Sequence, residues 1–173
     1  TGAYAGETPL ARAIMVADNT FASPALQNPI AMGADVVMHS CTKYIGGHGT
    51  TIAGVVIDGG TFDYGAHGDK FPGFTTPDES YHGLRYGPDL GVGSPFGANL
   101  SYILKARVQL LRDLGPAVSP FNAFLIAQGI ETLSLRLERH LAITRAVVAF
   151  LTGHGQVESV RWASLDGSPS KAL

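Results

Sequence analysis

Short continuous apolar runs, rather than alternation, mark the first third of the chain. Ala13-Ile14-Met15-Val16-Ala17 ends in Asp18, Val36-Val37-Met38 follows Asp35, and Ile52 to Ile57 is a third run, interrupted by Gly54. Runs of this length without a polar face predict strands buried on both sides. Between the first two, Pro24 opens a helical stretch that closes at Gly33. Strand, helix, strand at this spacing predicts a βαβ unit, and with it a mostly parallel sheet.

Residues 59–98 break the pattern. Ten glycines and four prolines sit there, interleaved with Phe62, Tyr64, Phe71, Phe74, Tyr81, Tyr86 and Phe96. A long segment without periodicity is a functional or a disordered loop, and this many aromatics predicts one that is packed and ordered. Helical spacing then returns. Tyr102 to Leu114 carries Ile103, Leu104, Val108, Leu110 and Leu111, and Gly115-Pro116 stops it. Ser119-Pro120 places a capping residue before a proline at the first helical position. Leu133 to Leu151 is the longest predicted helix, with Leu137, Leu141, Val148 and Leu151 on one stripe and Gly153 as terminator. Val157 to Trp162 alternates and predicts the first strand of a second, smaller domain.

Composition narrows the function classes. The chain has 173 residues, is 45% hydrophobic and 15% charged, and carries a formal net charge of -2. It lacks the basic face that a nucleic-acid partner requires. No apolar run has the roughly 18 residues of a membrane span, and no secretory signal opens the chain. Cys41 is the single cysteine, so no internal disulfide can form, and a cytoplasmic, reducing compartment is expected. The chain begins without methionine and stops at Ser168-Pro169-Ser170-Lys171-Ala172-Leu173 with no terminal helix or strand, which reads as a piece of a longer subunit.

The chemistry concentrates at two strand ends. Asp18 closes the first strand, and His39-Ser40-Cys41-Thr42-Lys43 closes the second. Ligands of open parallel sheets bind outside the carboxyl ends of the strands, so a carboxylate and an amine 25 positions apart reach one rim. A lysine acts as a nucleophile when burial depresses its pKa and a carbonyl is held nearby. Pyridoxal phosphate supplies such a carbonyl, and its ring nitrogen stays protonated only beside a carboxylate. Lys43 fits the Schiff-base lysine and Asp18 the ring-nitrogen partner. Ser40 and Thr42 are two apart, so in extended backbone both hydroxyls point the same way, toward one phosphate. Taken singly, Asp18 is as well explained as a turn or cap residue, and Lys43 as a solvated loop lysine. The combination carries the argument.

Other candidates carry less. Gly46-Gly47-His48-Gly49-Thr50-Thr51 is not a nucleotide P-loop, because Lys43 precedes the glycines instead of following them; the glycines are expected to let backbone pass close to the cofactor site. His39, His48, His67, His82, His140 and His154 show no paired metal-ligand spacing beside a third ligand. Cys41 is expected to pack as a small apolar residue. Arg136, Glu138, Arg139 and Arg145 read as a solvated helix surface or a subunit contact.

The strings Val16-Ala17-Asp18-Asn19-Thr20-Phe21-Ala22-Ser23-Pro24 and Gly33-Ala34-Asp35-Val36-Val37-Met38-His39-Ser40-Cys41-Thr42-Lys43-Tyr44-Ile45-Gly46-Gly47-His48-Gly49 closely resemble the cysteine and methionine metabolism family of pyridoxal-phosphate enzymes. Phe71-Pro72-Gly73-Phe74, Pro77-Asp78-Glu79-Ser80-Tyr81-His82-Gly83-Leu84, Leu111-Arg112-Asp113-Leu114-Gly115, Ser119 to Phe124 and Glu138-Arg139-His140 resemble its O-acetylhomoserine sulfhydrylase branch. The resemblance runs from about Pro9 onward.

It implies an α/β fold, the partial large domain of the aspartate-aminotransferase-like (fold type I) enzymes, with 1–156 in the cofactor domain and 157–173 opening the small C-terminal domain. It implies pyridoxal phosphate on Lys43, Asp18, Ser40 and Thr42, with Lys43 also the acid and base. The implied reaction replaces the acetate of O-acetylhomoserine with sulfide or a thiol. Methionine γ-lyase, cystathionine synthase or lyase chemistry, or an incomplete interaction fragment are the alternatives. A homotetramer of tight dimers is implied as well. Family subunits are more than twice this length, with the ring-stacking aromatic and a glycine-rich phosphate turn expected before Thr1, and the arginine for the substrate carboxylate after Leu173. The piece alone is expected to bind cofactor weakly.

Overall fold

The computed structural model describes Ala13–Pro169. Its contacts divide the chain into two compact units, Thr1–Glu131 and Thr132–Leu173.

The first unit is built on a three-stranded sheet in the order β1 (Val16–Asp18), β2 (Val36–Ser40), β3 (Gly54–Asp58). β1 and β2 run parallel, pairing Val16 with Val36 and Asp18 with Met38. β3 runs antiparallel to β2, pairing Ser40 with Gly54 and Val36 with Asp58. The sheet is therefore mixed, where the sequence pattern pointed to mostly parallel pairing. The reason lies in the connection. The parallel pair is joined through a short helix, α1 (Ser23–Leu26), whereas β2 and β3 are joined by turns alone, and strands connected without a crossover helix return antiparallel.

α1 is also shorter than its predicted extent to Gly33. Gln27 is extended, at φ -147° and ψ 138°, and Asn28 precedes Pro29, whose ring disfavours helical backbone in the preceding residue. Gly33, at φ +104°, closes a separate turn in which its amide donates to the Ile30 carbonyl and Ala34 donates to Pro29.

One buried carboxylate ties the sheet's far end together. Asp35, fully buried, accepts the Met15 amide at 2.9 Å and the Thr61 hydroxyl at 3.2 Å, while its carbonyl accepts Gly59 N–H at 2.7 Å. The lead into β1 and the exit from β3 are thus both anchored on the residue that opens β2.

The glycine- and aromatic-rich segment is ordered, as its composition led us to expect. It contains α2 (Pro72–Thr75), α3 (Tyr86–Leu90) and two single 3-10 turns. Tyr64 is its centre, stacked on Phe74 at 4.2 Å between centroids and in edge contact with Phe62 and Phe71. Aromatic pairs of this geometry add about 0.5–1.5 kcal/mol each beyond simple area burial. The Pro77–Leu84 string is a polar hub on Asp78. One carboxylate oxygen accepts Tyr86 Oη–H at 2.8 Å and Gln109 Nε2–H at 2.9 Å; the other accepts the Ser80 amide and hydroxyl. Arg112 donates to Tyr81 Oη at 2.7 Å, joining the Leu111–Gly115 string to the same hub.

The predicted helix over 102–114 forms as α4 (Ser101–Lys105), a π-helical stretch (Ala106–Leu111) and α5 (Arg112–Leu114), ended by Gly115 at φ +78°. α6 (Pro120–Glu131) starts where the capping reading placed it, with the Asn122 amide donating to Ser119 Oγ at 3.1 Å. In the second unit, α7 (Leu133–Thr152) keeps Leu133 and Leu137 buried and Leu141, Val148 and Leu151 half-buried on one stripe. Val157 to Trp162 forms no strand. Its alternation finds no pairing partner among the described residues, and a lone strand leaves its backbone groups unpaired. The reading of Ser168–Leu173 as a loose end falls partly outside the described residues.

Candidate active site

The site starts at the carboxyl ends of β1 and β2. Because these strands are parallel, Asp18 and the Ser40–Lys43 segment emerge at the same edge of the sheet. Asp18 pairs with Met38, and side chains two apart on a strand share a face, so Asp18, Met38 and Ser40 face the same side. Asp18 and Met38 are exposed there and Ser40 is half-buried. His39 and Val37 face the opposite side and are buried.

Asp18 is fixed by the turn that follows it. The Thr20 amide donates to its Oδ1 at 3.0 Å. The Thr20 hydroxyl and amide hold the Asp18 carboxyl below its usual range, with nearby His39 adding a smaller push the same way. An anionic carboxylate is what a protonated pyridine nitrogen requires. The loop beyond is tightly determined. Asn19 donates through Nδ2 to the Ser23 and Gln27 carbonyls, and Ser23 adopts φ +58°, a strained value for a non-glycine residue.

The second strand does not continue past Ser40. The Lys43 amide donates to the Ser40 carbonyl at 3.1 Å, Gly46 to Cys41 at 2.8 Å and Gly47 to Lys43 at 2.8 Å. Ser40, Cys41 and Thr42 are therefore not one extended run, and the period-two argument that aimed both hydroxyls at one phosphate does not hold geometrically. Consecutive i to i+3 and longer bonds wind residues 41–46 into turns instead. The Thr42 hydroxyl is occupied by Ala53, accepting its amide at 3.1 Å and donating to its carbonyl at 3.3 Å. That donation is longer than the usual O–H···O range. Cys41 is buried, which pushes its thiol pKa up, in keeping with the small apolar role expected of it. Lys43 is exposed, one turn beyond Ser40.

A Cβ on Gly46 would lie 2.7 Å from the Cys41 carbonyl oxygen of its own turn, and helix α6 packs on that turn from outside. A Cβ on Gly129 of α6 would lie 2.8 Å from the Gly46 carbonyl carbon and 2.8 Å from the Ile45 carbonyl oxygen. His48 sits with Nδ1 2.7 Å from the Gly46 carbonyl oxygen. Among the described residues no cluster of three histidine, cysteine or acidic side chains could hold a metal ion, and no helix is long and apolar enough to cross a membrane.

The sequence reading named Asp18, Ser40, Thr42 and Lys43, and the fold gathers them at one sheet edge. It assigned no role to Thr20 or Gly129. An acid followed two residues later by threonine is a recognisable local hydrogen-bonding signal; Gly129 carries none, since only tertiary packing reveals it.

Against known proteins, the family model described as "Cys/Met metabolism PLP-dependent enzyme" matches residues 7–173, nearly the whole chain. The chain belongs to that family. An O-acetyl-L-homoserine sulfhydrylase of Leptospira meyeri is 55% identical over 152 residues, 87% of this chain and 34% of the relative. One from Corynebacterium glutamicum is 49% identical, over 90% of this chain and 34% of its own. Among solved structures, a Campylobacter jejuni chain described as an O-acetylhomoserine (thiol)-lyase with N′-pyridoxyl-lysine-5′-monophosphate superposes with a TM-score of 0.77 at 34% identity, covering 92% of this chain and 38% of that one. A cystathionine gamma synthase from Xanthomonas oryzae, in complex with aminoacrylate and cysteine, gives 0.62 at 32% identity, covering 92% and 31%. The chain thus spans about a third of the length of the curated relatives it matches, and its α/β architecture is that of the PLP-dependent fold type I enzymes.

The donor set of this member of the Cys/Met metabolism family fits pyridoxal phosphate. It offers a carboxylate held anionic, an exposed primary amine and a hydroxyl on the carboxylate's own face, all at one strand edge.

Proposed function

We propose that this chain supplies the lysine and carboxylate half of the cofactor site in a pyridoxal-phosphate-dependent O-acetylhomoserine sulfhydrylase. The reaction converts O-acetylhomoserine and sulfide, or a thiol, to homocysteine, or its thioether, and acetate. The observation that carries the reading is the parallel register that delivers Asp18 and the Lys43 turn to one edge.

When bound, the cofactor supplies an electron sink that acidifies the substrate carbons next to the amino group. Lys43 would hold the cofactor covalently; its Nζ amine, once free, would accept the substrate's α-proton, give that proton up, and then accept a β-proton as acetate leaves from the γ-carbon. Asp18, held charged by Thr20, keeps the ring nitrogen protonated. Ser40 donates its hydroxyl to the phosphate. Thr42 joins it by turning its hydroxyl proton away from the long bond to Ala53.

Support for the cofactor comes from the pyridoxyl-lysine of the Campylobacter jejuni structure, and for the substrate from the sulfhydrylase names of the most similar relatives. Higher identity to these than to the cystathionine gamma synthase favours sulfide or thiol over cysteine as the incoming nucleophile. The same reading includes a homotetramer of tight dimers, by resemblance alone, and a cytoplasmic location, supported by the free, buried Cys41. It also keeps 1–156 as the cofactor domain and 157–173 as the start of a small domain, by resemblance; regular structure ends at Thr152, whereas contacts divide the chain at Glu131–Thr132.

The test is to express the complete gene product, supply O-acetylhomoserine, sulfide and pyridoxal phosphate, and follow homocysteine and acetate. Equimolar release that disappears in Lys43→Ala supports the assignment. Turnover that survives Lys43→Ala, or no turnover in the wild type, rejects it.

A further inference from the structure

Thr20 is 5% exposed and lies between the two parts of the site without belonging to either. After Asp18 the parallel ladder takes one more backbone bond, from the Asn19 amide to the Met38 carbonyl at 3.0 Å. The next acceptor in a regular ladder would be the Asn19 carbonyl, but that group accepts the Ser23 amide at 2.8 Å to start the loop into α1. The Thr20 hydroxyl takes its place, accepting the Ser40 amide at 2.8 Å. The Thr20 amide meanwhile donates to Asp18 Oδ1 at 3.0 Å. A hydroxyl oxygen that accepts one bond still has its own proton to give, and the Thr20 side chain is the largest cause of the lowered Asp18 pKa.

We infer that Thr20 is a positioning residue that joins the two ends of the cofactor site, setting Asp18 with its amide and hydroxyl while fixing the Ser40 backbone with the same hydroxyl. The inference rests on the proposed pyridoxal-phosphate function, and it adds a residue to which that reading assigns no part. Its consequence is cooperative. Removing one hydroxyl loosens both the carboxylate that meets the ring nitrogen and the backbone that presents the phosphate-binding hydroxyl. The lowered pKa of Asp18, whose largest cause is the Thr20 side chain, agrees with that arrangement.

The experiment uses the complete gene product with Thr20→Val, which keeps the shape and loses the hydroxyl, and Thr20→Ser, which keeps the hydroxyl. Two readouts are taken: pyridoxal phosphate affinity by equilibrium dialysis, and the Asp18 carboxyl titration by NMR in cofactor-free protein. T20V is expected to weaken cofactor binding at least about tenfold, the size of a lost hydrogen bond to a charged group, and to raise the Asp18 pKa toward its ordinary value. T20S is expected to stay within about threefold of wild type with Asp18 unchanged. In an Asp18→Asn, Ser40→Ala background, where nothing remains for Thr20 to position, the T20V penalty is expected to vanish. Unchanged affinity in T20V, or an undiminished penalty in the double background, overturns the inference. A wild type that binds no pyridoxal phosphate while T20V still shifts Asp18 overturns the proposed function and leaves the Thr20 link standing. Should T20V fail to fold, a wild-type crystal structure decides, since Thr20 Oγ1 beyond hydrogen-bond distance of the Ser40 amide ends the inference.

Discussion

Gly129 of α6 and Gly46 of the Lys43 turn meet backbone to backbone, at a separation that leaves no room for a methyl group on Gly129. The lysine turn is not held by its own hydrogen bonds alone; the helix presses on it three residues past Lys43. Sheet edge and α6 together therefore define where the amine stands.

Gly129→Ala should accordingly disturb the site from a distance. Inserting a methyl group into a filled contact costs about 1–3 kcal/mol, and the improved helix propensity of alanine returns about 1 kcal/mol of it. We expect a net loss of up to roughly 2 kcal/mol in urea unfolding and weaker cofactor binding. Gln128→Ala, at the exposed neighbouring position, should leave both unchanged. Wild-type cofactor affinity in G129A would show that the turn yields without consequence.

Tyr64 is buried at the centre of the aromatic cluster, and its hydroxyl has no hydrogen-bond partner among the described residues. Burial is the main reason its pKa is pushed up, with Asp58 contributing. Removing an unsatisfied buried hydroxyl while keeping the ring relieves a desolvation cost, so Tyr64→Phe should gain on the order of 1 kcal/mol. Chemical denaturation measures it. A loss of similar size would mean that an ordered water serves the hydroxyl.

The Asp78 hub carries a pH signature. Its carboxyl sits below the ordinary range, first because of the Ser80 hydroxyl and next the Tyr86 hydroxyl. A carboxylate with a depressed folded pKa contributes stability above its unfolded pKa of about 3.9, and the contribution is lost as pH falls through the folded value. Asp78→Asn should therefore melt below wild type at pH 7, and the gap should narrow as pH falls through the lowered folded pKa and the wild-type carboxyl takes up its proton. A gap independent of pH would assign Asp78 a purely steric role.

Much of this was legible in the sequence, and for identifiable reasons. The strands at Val16 and Val36 announced themselves as apolar runs, and the edge chemistry followed from where those runs stop. The direction of β3 was not legible, because apolar content does not encode whether a connection crosses over or turns back. The length of α1 is readable in Asn28-Pro29, whose restriction on the backbone outweighs the terminator signal of Gly33. The extended geometry expected for Ser40 to Thr42 fails because β2 ends at Ser40, where Lys43, Gly46 and Gly47 bond back to the chain. Asp35 and Gly129 owe their roles to partners 20 and 83 positions away, which no local pattern displays, while Asp78 joins the nearby Ser80 and Tyr86 to the distant Gln109.

The account stands on Lys43 and Asp18 meeting opposite ends of one aromatic aldehyde. The most direct measurement is borohydride reduction of the complete gene product in the presence of pyridoxal phosphate, followed by peptide mass mapping. The account predicts a pyridoxyl adduct on Lys43, formed in wild type and diminished in Asp18→Ala at limiting cofactor. An adduct on another lysine, or one on Lys43 formed just as readily without the Asp18 carboxylate, would contradict it.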